Sequence, residues 1–442
     1  MNKRRILETV LSGAAAAVGL LTSCVSGGFT NEPEPVLRQA WALYRDGRFA
    51  EARAAADRLL EAGNTADAGR YLLCLISHLQ GDYLQSTSHY DRIRRSYPKR
   101  KLLVEPVAWS YVHLGDYEGA LRHLKTSGVR QDPALFEVLA YWKDQPLTVE
   151  ASGVVEIPFT EDRLSPFMPG LKVRINGRDA VARLDTGGGY VHLSPAWAER
   201  LGVRSTGREK GFASLQKVDI GYGGFVDLEL GSFVVRNLPV YVMTHLEAQS
   251  EAIRAAVGEE LGPILGTNVF QRFLTTIDGP GRRFVLSPRG DPAAAAAHAA
   301  RLPGDAKELP FALWLDHYMI ARGEFGGKQV KLFFDSGLVA MNPEQGQAHL
   351  LASVSRLGFW GVPVPEKEQF AVVPRPLALS GLGSGNPTAV PVPETTWKGL
   401  GDWGGVGVDA LISWGFLKEY AWTLDFDRMT YAFRKPAGRG GW

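Results

Sequence analysis

The rhythm of apolar and polar positions changes twice along the chain. From residue 33 to 130 apolar residues recur with helical spacing, and a longer pattern rides on them. "DGRFAEA", "QGDYLQS" and "LGDYEGA" place glycines at 47, 81 and 115, two steps of 34 residues (81 − 47 and 115 − 81). An aromatic follows each glycine two residues later, at Phe49, Tyr83 and Tyr117, and a small residue precedes it by seven, at Ala40, Cys74 and Ala108. Small residues at one fixed place on paired helices let them cross closely, so this pattern predicts a helical repeat unit over residues 33–145. Past about residue 150 the helical period gives way to short alternating or β-branched runs cut by glycine: "LKVRING", "FVDLELG" and "FVVRNLPVYVM". These read as strands of an all-β region.

The β region starts twice. "EIPF" at 156–159 returns as "ELPF" at 308–311, and "INGRDAVARLDTG" returns as "FGGKQVKLFFDSG". The two copies also end alike. "FQRFLTTIDGPGRRFVL" from Phe270 aligns without gaps on "LKEYAWTLDFDRMTYAF" from Leu417, setting Thr276 on Thr423 and Asp278 on Asp425. The expected organisation is therefore a helical unit (33–145), lobe one (154–290), an Ala/Pro-rich linker (291–307) and lobe two (308–436). The fold class is multi-domain, all-α repeats followed by an all-β, two-lobed unit.

Charge changes little in this picture. Lys plus Arg is 49 and Asp plus Glu is 47, so no electrostatic reason points to nucleic acid as a partner. The first residues do add something. Lys3, Arg4 and Arg5 precede the short apolar run "LSGAAAAVGLL", and "LTSC" closes it at Cys24. The order of charged start, short apolar stretch and small residues is that of an export signal over residues 1–23. Cys74 is the other cysteine. Its repeat position gives it a packing role.

The duplication pairs two aspartates. Asp185 in "ARLDTGGGYV" and Asp335 in "LFFDSG" each follow an apolar strand and open into a turn. An Asp-Ser/Thr-Gly triplet arises by chance with a probability of roughly a few tenths in a chain this long; two copies in register within a duplication carry far more weight. Each strand delivers a carboxylate into a low-dielectric interior. Thr186 and Ser336 offer hydroxyls to lock the two turns together, and Gly187 and Gly337 allow close approach of the opposite lobe. Two carboxylates about 3 Å apart cannot both ionise and share one proton. One then serves as general base on a water and the other as general acid, with no metal, cofactor or covalent intermediate required.

Three resemblances follow from these residues. The 34-residue period resembles tetratricopeptide repeats, which implies a concave surface for a protein partner or for the neighbouring domain. "LTSC" resembles the lipobox of bacterial lipoproteins. That implies cleavage before Cys24, a lipid anchor there, and, with Val25 next, the periplasmic face of the outer membrane in a cell with two. Lobe one, with "LDTG", "IGYGGF" and "ILGTN", resembles retropepsin-like aspartic proteases, and two lobes in one chain are also similar to pepsin-like ones. This implies an aspartic endopeptidase with Asp185 and Asp335 catalytic, a peptide or protein substrate, no cofactor, and a glycine-rich flap tip at Ile220, Gly221, Tyr222, Gly223, Gly224 and Phe225. A second flap is expected at "SGLGSG" (Ser380 to Gly385). Lobe two departs from the family at Ser413, where "LIS" replaces the glycine of "ILG". Gly188 and Leu338 stand where pepsins carry a hydroxyl.

Other chemistry has little support. The nine histidines show no HExxH spacing, His192 falls on a strand, and there is no GxSxG elbow or Walker A loop. The principal alternative is a peptide-binding scaffold lipoprotein of the cell envelope built on degenerate lobes. Pairing of Asp185 between two chains is a further one.

Overall fold

A computed structural model describes residues 35–435, except 62–64, 130–131, 214–215, 343–344, 365–369, 374–376, 380–381, 385–386 and 401. The expected signal segment and Cys24 lie outside the described residues, as do Ser380, Gly381 and Gly385.

Among the described residues seven α-helices precede the β region: α1 (Pro35–Arg45), α2 (Phe49–Glu61), α3 (Ala66–Leu79), α4 (Tyr83–Asp91), α5 (Val104–His113), α6 (Tyr117–Thr126) and α7 (Pro133–Trp142). The repeat signature has a local cause. Gly47, Gly81 and Gly115 adopt positive φ (72°, 79° and 76°), the left-handed conformation that ends a helix. The residue after the second and third, Asp82 and Asp116, caps the next helix by accepting from Gln85 N–H (3.3 Å) and Gly119 N–H (2.7 Å). Ala40, Cys74 and Ala108 are fully buried where helices cross.

Alternate helices of this array face the β lobes. Tyr44 of α1 donates to Gly404 O (2.5 Å), and His113 of α5 to Leu315 O (2.7 Å). Tyr141 of α7 stacks on Phe225 with ring centroids 3.7 Å apart, and Trp142 Nε1 donates to Asn237 O (2.9 Å). One apolar cluster mixes Trp41, Tyr44 and Leu75 with Trp314, Tyr318 and Trp403. Another mixes Trp109, Val138 and Leu139 with Tyr190, Ile220 and Val339. Of the two expectations for the inner face of the repeats, the packing against the neighbouring domain is the one realised.

Lobe one is an eight-stranded sheet, and its first strand, Thr148–Glu150, already pairs with Phe233–Met243. A shared antiparallel platform then joins the lobes. It runs Val155–Pro158, Arg283–Pro288, Phe273–Asp278, Ala421–Asp425, Thr430–Arg434 and Lys307–Trp314, three strands from each copy. Thr276 lies opposite Thr423, and their hydroxyls meet at 2.6 Å. These are the residues the sequence duplication equates, so the pseudo-twofold axis passes between them. The linker forms a short helix, Pro292–Ala299, started by Asp291 accepting from Ala293 N–H (2.9 Å). From it His298 bonds Thr276 Oγ1 (2.7 Å) and Ser287 Oγ (3.0 Å), fastening the helix over the platform.

Candidate active site

Each aspartate leaves a strand that is supported in parallel from one side. Arg178–Leu184 runs beside Ile264–Leu265, and Lys328–Phe334 beside Ala410–Ile412. The support fixes the aspartate backbone as well: Asp185 N–H donates to Leu265 O (3.0 Å) and Asp335 N–H to Ile412 O (2.8 Å). In each turn the glycine two residues on donates back to the carboxylate, Gly187 N–H to Asp185 Oδ1 (2.8 Å) and Gly337 N–H to Asp335 Oδ1 (2.9 Å). A methyl group on Gly187 would collide with the Asp335 carboxyl, and one on Gly337 with the Asp185 carboxyl. The turns thus face each other about the pseudo-twofold axis.

Four hydrogen bonds cross between them. Thr186 N–H donates to Ser336 Oγ (3.0 Å) and Ser336 N–H to Thr186 Oγ1 (3.0 Å). Thr186 Oγ1 donates to Phe334 O (2.8 Å) and Ser336 Oγ to Leu184 O (3.2 Å). Both hydroxyl residues are fully buried. The two aspartates are buried too, at 0% and 2% exposure, which decides their ionisation. Burial first, then the charge of Asp335, holds the Asp185 carboxyl well above the usual range. Burial pushes Asp335 up to about 6, against the bonds from Asp185, Gly337 and Leu338 and the influence of His317. The pair therefore carries one shared proton in mildly acid solution, and its titration belongs to both groups.

The run of three glycines after Asp185 has a separate contact at each place. Gly187 admits Asp335, Gly188 lies against the His192 ring, and Gly189 against Asp316 and His317. Two of their carbonyls, and that of Thr186 before them, are held from "ILGTN": Thr267 N–H donates to Gly188 O (2.7 Å), Asn268 N–H to Gly189 O (2.9 Å) and Thr267 Oγ1 to Thr186 O (3.0 Å). His192 sits on a packed strand, fully buried, with no hydrogen-bond partner on either ring nitrogen.

Two expectations change. Ile220, Gly221, Tyr222, Gly223, Gly224 and Phe225 do not form a hairpin tip. They run within the long strand Gln216–Leu230, which pairs antiparallel with Gly207–Ala213 as far as Ala213 opposite Gln216. The glycines serve a register shift between Gly221 and Gly224, where Gly223 adopts φ 79°, and a close approach of Tyr222 to Gly207. Phe225 is pinned under Tyr141. The hairpin does approach the aspartate turns: Val218 and Ile220 pack in one cluster with Tyr190 and Val339, which follow the two turns. In lobe two, Leu382–Ser384 is a strand paired with Leu377–Leu379, at the edge where lobe one carries its hairpin.

The second change concerns Ser413. It matches Gly266 in backbone (φ −89°, ψ 171° against φ −87°, ψ −178°). A methyl group on Gly266 would collide with Tyr190 O, so lobe one needs glycine there. Lobe two has room. Ser413 Oγ donates to Ala348 O and accepts from Gly415 N–H (3.0 Å), capping the helix Trp414–Leu417. The packing under Asp335 is kept.

Residues 171–269 match the family model "Aspartyl protease". The two-lobed β unit that carries this match is consistent with an aspartic-protease fold. The match spans the Asp185 turn, the hairpin and "ILGTN", so the three motifs of lobe one belong to one family pattern. Among solved structures, an aspartic proteinase from Irpex lacteus is similar over 64% of this chain and 98% of its own, at 10% identity and a TM-score of 0.40; a likeness at that level carries no argument. A comparison with curated proteins finds no match.

Proposed function

We propose that this protein is an aspartic endopeptidase that hydrolyses peptide bonds of extended polypeptides between its two lobes. The observation that carries this reading is the pair Asp185 and Asp335, buried in matching turns that face each other and are locked by crossed hydrogen bonds. With the proton on Asp185, the ionised Asp335 takes a proton from water as the water oxygen attacks the peptide carbonyl carbon. Asp185 gives its proton to the carbonyl oxygen, and a tetrahedral diol forms. Return of a proton to the nitrogen releases the amine as the C–N bond breaks and the carboxyl product forms. Both turns are rigid through the crossed Thr186 and Ser336 bonds, so little geometry must be set up on binding. The 207–230 hairpin covers the bound segment.

Export and a lipid anchor at Cys24 belong to the same proposal. So does placement on the periplasmic face of an outer membrane, on the strength of "LTSC" and Val25. A protein partner of the helical repeats would use the face of α2, α4 and α6, since the other face is taken up by the lobes. The test is digestion of an unbiased peptide library by wild type and by Asp185→Asn. Wild type should give a reproducible cleavage pattern across pH 4–7 and Asp185→Asn none. Identical patterns from both proteins would refute the assignment.

A further inference from the structure

Both catalytic turns are closed off from solvent. Residues 185–190 and 335–340 are buried throughout, glycines included. Hydrolysis needs the two carboxyls within hydrogen-bond reach of the water and the peptide carbonyl, so an extended substrate must lie against these turns. In this structure other parts of the chain lie there. Tyr190, five residues past Asp185, and Val339, four past Asp335, share an apolar cluster with Trp109 and Val112 of α5 and with Val138 and Leu139 of α7. Leu338 and Ala340 share another with Trp41 and Tyr44 of α1 and Leu75 of α3. The space beside Gly189 is taken by the Asp316 carboxyl, with which a methyl group there would collide.

The helical unit holds each element that would have to part. α7 holds the hairpin, with Tyr141 stacked on Phe225 of the strand Gln216–Leu230. α3 and α5 hold the lobe-two turn that precedes Asp316. Leu315 N–H donates to His78 Nε2 (3.1 Å), and Leu315 O accepts from His113 Nε2 (2.7 Å). α1 holds lobe two elsewhere: Tyr44 donates to Gly404 O (2.5 Å), and Lys331 Nζ donates to Arg45 O (2.8 Å). The unit thus bridges both lobes across the catalytic turns. Its covalent link to them is short. α7 ends at Trp142, and the strand Thr148–Glu150 already belongs to the lobe-one sheet. Residues 143–147 are therefore the hinge about which the unit can swing.

We propose that the helical unit is an inhibitory clamp on the endopeptidase site. Docked as described, it bars peptide from Asp185 and Asp335, and substrate enters only when the unit swings away and frees the hairpin and the 315–317 turn. The proposal rests on the endopeptidase reading for the substrate it excludes. Full-length protein then cleaves through a small open fraction, and its rate rises in proportion as docking is weakened.

The test weakens docking at two places outside the catalytic turns, in the full-length protein. Tyr141→Ala removes the ring on Phe225, and Tyr44→Phe removes the bond to Gly404 O. Each contact is worth about fivefold in the opening equilibrium, and the two together about 25-fold if they act independently. The readouts are kcat/KM on a peptide cleaved in the library digest, affinity for a statine-containing peptide by calorimetry, and hydrogen exchange of the segment holding the Leu315 amide, which His78 protects. All should rise about fivefold in each single variant and about 25-fold in the double variant. Adding Asp185→Asn to the double variant should abolish cleavage and leave the fast exchange. Unchanged or lower cleavage and affinity in the double variant overturn the proposal, whatever the exchange shows. If the double variant does not fold, the single variants decide in the same way. Cleavage by wild type with no gain in the variants removes this inference alone. Tighter binding and faster exchange with no cleavage by any of the proteins remove the endopeptidase reading alone.

Discussion

Ser336→Ala tests how the lobes are locked. The hydroxyl accepts from Thr186 N–H and donates to Leu184 O. Its removal deletes two hydrogen bonds worth about 1 kcal/mol each and strands the Thr186 N–H in a fully buried site, which costs a further 1–3 kcal/mol. The expected loss is about 3 kcal/mol, or roughly 4–5 °C in melting temperature for a unit of this size. Thr186→Val removes the symmetric pair of bonds and strands the Ser336 N–H, so it should cost about the same. Thr186→Ser keeps the hydroxyl and should stay close to wild type. The double variant should fall short of the sum by about 1 kcal/mol or more, because the two residues fix the same pair of turns. Thermal and urea unfolding followed by tryptophan fluorescence give all four values. A shift under about 2 °C in either single variant would refute the claim that these bonds hold the lobes together.

Other outcomes follow from single contacts. Gly266→Ala should destabilise lobe one severely, because the added methyl group meets the Tyr190 carbonyl, whereas Ser413→Ala loses a helix cap worth about 1 kcal/mol; equal costs in urea unfolding would contradict the two settings. Burial, with Asp132 and Asp316 near, pushes the carboxyl of Glu105 up to about 8 from an ordinary 4.5. A raised carboxyl contributes its full stabilisation below pH 4.5 and loses it as pH rises through about 8. Glu105 is partly exposed, so about half of the roughly 5 kcal/mol that the whole shift implies is a fair expectation. Glu105→Gln should therefore lose less melting temperature than wild type between pH 5 and 8, and parallel pH curves for the two proteins would contradict this.

Much of this molecule was legible before the structure because the signals were local or duplicated. The helical period could be read from Gly47, Gly81 and Gly115, since each ends a helix by its own backbone conformation. The dyad could be read because two copies of one lobe put Asp185 and Asp335 in register, and Thr276 with Thr423 showed where the axis runs. The flap was misplaced for a physical reason. Glycines in "IGYGGF" look like turn chemistry, but here they absorb a register shift and crowding from Tyr222. The hairpin instead has Ala213 and Gln216 as its last paired residues, a place where the sequence carries no glycine or proline signal. Ser413 looked like a defect because sequence does not show how much space surrounds a backbone atom; Gly266 is crowded by Tyr190 and Ser413 is not. Asp316 and His317 gave no signal at all, since their surroundings are set by packing among residues as distant as His78, Gly189 and Gln271.

The central claim is that Asp335 is the working partner of Asp185. Cleavage of one good peptide substrate, followed from pH 3 to 8 for wild type, Asp185→Asn, Asp335→Asn and the double variant, tests it directly. Wild type should give a bell-shaped profile belonging to the pair. Each single variant should lose a factor of about 10² to 10⁴ or more, and the double variant should be little worse than either, since the two act as one unit. Near-wild-type cleavage by Asp335→Asn beside an inactive Asp185→Asn would contradict the account.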